Sequence, residues 1–294
     1  MAKKTLFAAK VNVHENIFSW DLNEIISIHI PRVIRETPSF KVNSFTWSIT
    51  DISDHNVDGM ELITGNLTKS KQKSIKVKKG NETLDVVPEF EQAQTSYFAY
   101  QPLNEILLFE VNSLVSLDDF IRVFSSLLSR DVYIGEVKIV PLPEPYRIRN
   151  EINSMDVVTS IAFQLIHPNP GKKEFNLYQK IIDQNSAKEV DLKLINSSGL
   201  TIRNKEENAT TEYVETIEHG IRLVENGYGA IVVKGYTEVV TRSSAKPKVN
   251  KKPKNFYSSK AIRKITVNDF GEELLLSRLR SFILDIVNKI KSKD

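Results

Sequence analysis

The sequence predicts an α+β protein: two tandem sandwiches of mainly antiparallel sheet with packed helices, ending in a long C-terminal helix. Three observations predict it. Apolar and polar residues alternate over short runs through most of the first half, which is the period of strands. Strand-period and helix-period segments then alternate through the second half. Between them, Pro141, Pro143 and Pro145 interrupt any regular ladder, because proline has no amide hydrogen to donate. The boundary therefore falls there, giving an N-terminal strand-rich domain over 1–146 and a C-terminal α+β domain over 147–294.

Taken in order, residues 5–13 are largely apolar and β-prone. Residues 21–31 carry Ile25, Ile26, Ile28 and Ile30, compatible with a strand or a short helix that Pro31 ends. Val42, Phe45, Trp47 and Ile49 alternate through 40–52 with a slip at Asn43-Ser44, read as a bulge, and 60–67 can pair with that strand. Ile75 and Val77 before Gly80-Asn81, with Leu84 and Val86 after it, predict a hairpin over 74–87. Strands follow at 96–100 and 105–111. Ser116 then offers an N-cap, with Asp118 and Asp119 in the turn where the helix dipole favours negative charge. That helix buries Phe120, Val123, Phe124, Leu127 and Leu128, and a strand over 136–142 follows.

In the second half, 157–166 reads as a strand and 173–184 as a helix with Phe175, Leu177, Tyr178, Ile181 and Ile182 on one stripe. A strand at 190–195, a polar loop at 197–208, a helix at 211–226 and a strand at 228–240 complete a pattern for which a ferredoxin-like sandwich is one option. The terminal helix, 272–293, places Leu276, Leu279, Ile283, Ile286 and Ile290 at spacings of 3, 4, 3 and 4. Such a seam packs on its own domain or pairs with a second copy in a homodimer.

The chain has 294 residues and no cysteine, which excludes disulfides, thiolate metal sites and a cysteine nucleophile. No stretch approaches the roughly 18 apolar residues of a membrane span, and residues 1–10 lack a secretory apolar region. A cytoplasmic protein with no membrane partner is expected. The five histidines are scattered without metal-ligand spacing, and Gly227, Gly229 and Gly235 do not form a dinucleotide fingerprint. No metal or cofactor is expected.

Charge is the functional signal. Arg242, Lys246, Lys248, Lys251, Lys252, Lys254, Lys260, Arg263 and Lys264 lie in one stretch without an acidic residue. The other 31 basic residues face 37 acidic ones, a formal charge of −6. A cationic loop over 241–264 on an acidic body fits a polyanionic partner, above all DNA or RNA. Pro247 and Pro253 hold it extended, and Phe256 and Tyr257 are candidates for stacking on bases. A solvated loop and a protein contact are the competing readings. Lys69, Lys71, Lys73, Lys76, Lys78 and Lys79 form a second acid-free cluster on the predicted hairpin, suited to a groove or to guarding a strand edge. Lysine predominates in both, which favours phosphate contact over base reading.

Two acid-x-Lys triplets, Glu136-Val137-Lys138 and Asp191-Leu192-Lys193, raise a metal-dependent nuclease as an alternative, with Asp118 or Asp119, and Asp183 or Glu174, as further ligands. Composition alone produces roughly three to four such triplets. A protein scaffold or dimerising adaptor is the third class. The segments 158–163, His167-Pro168-Asn169-Pro170, Glu218-His219-Gly220 and 229–233 together resemble uncharacterised bacterial phage-defence-associated proteins. In topology the second half is similar to RNA-binding ferredoxin-like subunits of bacterial immune complexes, without their glycine-rich final loop. The resemblance implies a sensor or accessory subunit in phage defence. The expected function is non-catalytic, largely sequence-independent nucleic-acid binding.

Overall fold

A computed structural model describes residues 3–14, 21–169, 178, 184–185, 187–204, 212–241, 248–268 and 271–291. The protein is α+β with mainly antiparallel sheets and a C-terminal helix. Its contacts group into two units. One holds Met1–Phe7, Glu15–Ile139 and Ile265–Ile283; the other holds Ala8–His14, Val140–Lys264 and Leu284–Asp294. The first strand, β1 (Lys3–His14), and the last helix thus contribute residues to both.

The first unit is built on a sheet of β2 (Phe40–Val42), β3 (Phe45–Val57), β4 (Met60–Lys71), β7 (Gln92–Gln101), β8 (Ile106–Glu110), β1 and β14 (Lys264–Asn268). The pairs from β2 through to β8 are antiparallel. Between β4 and β7 the chain makes a separate hairpin of β5 (Ile75–Lys79) and β6 (Glu82–Val86), as the flanking apolar pairs and Gly80-Asn81 predict. The Asn43-Ser44 slip is a turn instead of a bulge: Asn43 takes a left-handed φ of 58° and Val42 pairs directly with Phe45. Asparagine tolerates that conformation through local side-chain hydrogen bonding. The real register shift lies further on, between Thr50 and Ser53, where Asp51 has a φ of 53°.

Pro31 does not end the helical run. Leu22–Glu24 forms a turn of α1, Ile25–His29 is π-helical, and α2 (Ile30–Glu36) carries Pro31 in its first turn. A first-turn position needs no amide donor, and the widened turn, in which Ile30 N–H bonds the Ile25 carbonyl, precedes the ring.

Helix α3 (Leu117–Leu128) follows the sequence reading closely. The Ser116 hydroxyl accepts the Asp119 amide hydrogen at 3.1 Å, and Phe120, Val123, Phe124, Leu127 and Leu128 are all buried. Phe120 stacks on Phe109 with centroids 4.3 Å apart, and Phe124 meets Phe98 edge-on at 5.0 Å. Replacing Ser116 by alanine is expected to lower stability by about 1 kcal/mol through loss of the cap; a urea titration checks it.

The second unit contains β9's last residues (β9 is Glu136–Pro141), α4 (Arg147–Asn153), β10 (Val157–Ile166), β11 (Glu189–Ile195), α5 (Glu215–Glu225), β12 (Gly229–Thr241) and β13 (Lys248–Tyr257). Its sheet runs β11-β10-β12-β13 with every neighbouring pair antiparallel. In the ferredoxin-like order β-α-β-β-α-β the connection without a helix joins the middle two strands; here α5 lies between β11 and β12, and the pair that follow each other as a hairpin are the last two, β12 and β13, so the order of elements departs from that option. Ile161, Phe163 and Leu165 of β10 project to one face and pack with Ile217, Ile221 and Val224 of α5. The helix lies so close that a Cβ on Gly220 would meet the Phe163 ring at 2.6 Å. That approach accounts for a glycine in mid-helix, where it otherwise costs about 1 kcal/mol. Of the predicted helix at 173–184, Tyr178 is helical and buried; Phe175, Leu177, Ile181 and Ile182 lie outside the described residues.

The terminal helix, α6 (Glu272–Lys291), buries Leu276, Leu279, Ile283 and Ile286, with Ile290 half-buried. The heptad seam is covered by the chain's own side chains.

Candidate nucleic-acid interface

The cationic segment is not a loop. From Lys248 to Tyr257 it forms β13, paired antiparallel with β12 through ten residue pairs, from Val232↔Tyr257 to Thr241↔Lys248. The extended backbone read there as a loop is a strand, although Pro253 has no amide hydrogen to give a ladder. On an edge strand, however, its missing donor can face outward at no cost to the ladder, and Pro253 sits opposite Tyr236 on the outermost strand of the sheet.

The last β10–β12 pair is Val157↔Tyr236. Beyond it, residues 237–241 pair along the sheet with 248–252, and the Glu238 N–H also donates to the Asp156 carboxylate at 2.6 Å, so the hairpin continues as a two-stranded ribbon tethered at its base. Side chains alternate across it. Thr237, Val239, Asn250 and Lys252 share one face; Glu238, Val240, Val249 and Lys251 share the other. Val239, Val240, Val249, Lys251 and Lys252 are exposed. Glu238, opposite Lys251, is the one acid within residues 237–252. The Lys251 ammonium lies 4.4 Å from the Tyr236 ring centre, and its hydrogen bond with Tyr236 raises its pKa above the usual lysine value. It is charged at any physiological pH.

The remaining candidates of this segment have different fates. Lys254 pairs with Glu151 of α4 at 3.0 Å and also bonds Ser154. Phe256 is 6% exposed and belongs to the hydrophobic core with Ile231 and Val233, so it has no free face for a base. Tyr257 is half-buried, with the Lys260 ammonium 4.9 Å from its ring centre. Arg263 is 7% exposed and ion-paired with Asp285. Lys264 opens β14 and is exposed. Arg242 and Lys246 lie outside the described residues. Folding therefore withdraws Lys254 and Arg263 from the cationic set and leaves Lys251 and Lys252 exposed on the ribbon. Residues 236–241 of β12, the ribbon's other half, were not singled out in the sequence. Their signal was the β-branched run Thr237, Val239, Val240 and Thr241 leading straight into the basic stretch.

The second cluster divides as well. Lys69 and Lys71 sit on β4, their ammonium groups 4.4 and 5.4 Å from the Phe45 ring centre, and Lys69 also lies 5.3 Å from Trp47. Lys73, Lys76, Lys78 and Lys79 are exposed at the β5–β6 hairpin. Their sequence neighbourhood has no acid, but the cross-strand partner supplies two: Lys76 faces Asp85 and Lys79 faces Glu82. On the opposite face from Lys76 and Lys78, the pairs Ile75↔Val86 and Val77↔Leu84 are partly exposed. The hairpin's positive field is thus weaker than the lysine count suggests.

The acid-x-Lys sites gather no ligand set. Glu136 and Lys138 pair with each other at 3.7 Å along β9, while Asp191 and Lys193 point outward from β11. Asp119 bonds Arg122, and Asp183 and Glu174 lie outside the described residues. Among the described residues, no three His, Asp or Glu side chains come together as a metal site. His55 lies in strand β3, where its Nε2 is 2.9 Å from the Thr64 hydroxyl. No described helix is long and apolar enough to cross a membrane.

No curated protein matches the chain. Residues 35–266, spanning both basic hairpins, match the model of a domain of unknown function, DUF4747, and the chain belongs to that family.

Proposed function

We propose that the protein binds nucleic acid without catalysis, through phosphate contacts made by the β12–β13 ribbon, with the β5–β6 hairpin as a second basic element. The observation that carries this reading is the ribbon itself. It leaves the sheet after Tyr236, bears exposed Lys251 and Lys252, and holds a single acid. Lysine-rich, arginine-poor contact surfaces hold phosphates as point charges and discriminate weakly among sequences. A nuclease reading has less support, since among the described residues no three His, Asp or Glu side chains come together as a metal site. The resemblance to phage-defence-associated proteins adds a sensor or accessory role to the proposal; plaque counts on cells with wild type or a ribbon variant test that part.

A gel-shift titration tests the core of it. Lys251→Glu/Lys252→Glu is the right variant, because deleting the whole basic segment would also remove Phe256 and Arg263 from the interior. A shift at low salt is expected, falling with a log–log slope near −4 if about four phosphates are neutralised. The double variant should bind at least about tenfold more weakly. No shift at low salt, or one that the double variant leaves unchanged, removes the proposal.

A further inference from the structure

We infer that the ribbon's ligand is double-stranded DNA, entered through the major groove, and that single strands and duplex RNA are poor substitutes. This rests on the nucleic-acid reading above and narrows it.

The first argument is what the ribbon lacks. Proteins that hold single strands stack successive bases on aromatic rings, each worth about 1–3 kcal/mol. Between residues 237 and 255 there is no aromatic residue. The three at its base are already engaged: Phe256 in the core, Tyr236 beneath the Lys251 ammonium, and Tyr257 beside that of Lys260. A single strand laid along the ribbon would meet lysine and β-branched side chains but no stacking platform.

The second argument is shape. The part beyond the β10 pairing has five residue pairs, from Thr237↔Lys252 to Thr241↔Lys248, with Asp156 bonded to the Glu238 N–H at its base; at about 3.4 Å per residue it is roughly 17 Å of two-stranded ribbon. The B-form major groove is about 12 Å wide and admits such a ribbon. The A-form major groove of duplex RNA is too deep and narrow for side chains to read. Inserted along the groove, a ribbon presents one face to base edges and its margins to the two phosphate walls. Lys251 and Lys252 both lie on β13, one on each face of the ribbon, so that margin can meet a phosphate wall from either face. The exposed Val239, Val240 and Val249 suit the thymine methyl groups, apolar features that the major groove displays and RNA lacks.

Fluorescence anisotropy with matched-sequence duplex DNA, single-stranded DNA and duplex RNA tests the assignment, using the full chain at two salt concentrations. Duplex DNA is expected to bind at least about tenfold tighter than either competitor, the single strand lacking its stacking contribution. Lys251→Glu/Lys252→Glu should reduce the magnitude of the salt slope by about 2 on duplex DNA. In a dimethyl sulfate footprint the protein should protect guanine N7, which lies in the major groove, and leave adenine N3 reactive. Equal or tighter binding to single strands or duplex RNA overturns this inference while the broader reading stands. Protection of adenine N3 alone overturns the groove assignment. Failure of all three ligands to bind overturns both.

Discussion

Replacing Arg149 by alanine is expected to cost about 3–5 kcal/mol of stability, the penalty for leaving a buried charge without its partner. Arg149, on α4, makes a two-pronged bond to Glu218 of α5, its two terminal nitrogens 2.9 and 2.8 Å from the two carboxylate oxygens. Glu218 is buried and also accepts Nε of Arg222 at 3.0 Å, and Glu225 lies 3.7 Å from Arg149. Removing the guanidinium takes away a charge that faces both carboxylates on that helix flank, while Arg222 stays bonded to Glu218. Burial alone would push the Glu218 carboxyl up. The Arg149 and Arg222 bonds and charges outweigh it and hold the carboxyl below the ordinary glutamate range. A carboxylate with a depressed folded-state pKa stabilises above its unfolded value and loses that contribution as protons are added. The α4–α5 clasp is therefore at full strength at neutral pH and weakens below about pH 4.5, the ordinary glutamate value. The protection of α5 amides against hydrogen exchange, relative to their intrinsic rates at each pH, should fall in that range in the wild type. In Arg149→Ala it should already be low at pH 7. A matched apolar pair, Arg149→Met with Glu218→Leu, should recover most of the loss, because the cost comes from the orphaned charge rather than from the absent bond. A loss below about 1 kcal/mol in the single variant would show the clasp to be solvated.

How much of this could be read without coordinates depends on the range of the interaction. Elements fixed by neighbouring residues were legible: the Ser116 cap and its five buried partners, the hairpin around Gly80-Asn81, and the strand period of β10 and β11. Elements decided by position in a sheet were not. The extended run around Pro253 looked like a loop until β13 proved to be the edge strand, and Pro31 looked like a stop until it fell in a helix's first turn. The candidate interface shows the same division. The basic residues of 241–264 were visible as a string, but a string does not say which charges survive folding. Lys254 and Arg263 are taken up by Glu151 and Asp285, one contributed from residues 103 positions upstream of its partner and the other 22 downstream. Lys76 and Lys79 gain acids only through strand pairing. That Lys251 and Lys252 stand on a ribbon follows from where the β10 pairing stops, and no local pattern in the sequence marks that point.

Phe124→Ala is the second large effect, again about 3–5 kcal/mol, this time from a cavity. The Phe124 side chain is fully buried, stacked on Phe120 at 5.3 Å and met edge-on by Phe98 at 5.0 Å, with Phe120 in turn stacked on Phe109. The ring is the middle of a four-member aromatic row joining α3 to strands β7 and β8. Strands held in a ladder cannot move in to fill the space, so the lost dispersion contacts on both sides of the ring are not regained. Phe124→Leu keeps most of the volume and should cost less than half as much. Phe90, 79% exposed, supplies the control: Phe90→Ala should stay within about 0.5 kcal/mol of wild type. Trp47, 2% exposed and within the same unit, gives the signal, since its emission shifts to the red when that unit opens. Urea midpoints for the three variants should rank Phe90→Ala, Phe124→Leu, Phe124→Ala in falling order with unchanged slopes. If Phe124→Ala were to match Phe90→Ala, the aromatic row would not be what fixes α3 to the sheet, and the apolar stripe of Val123, Leu127 and Leu128 would have to carry that attachment alone.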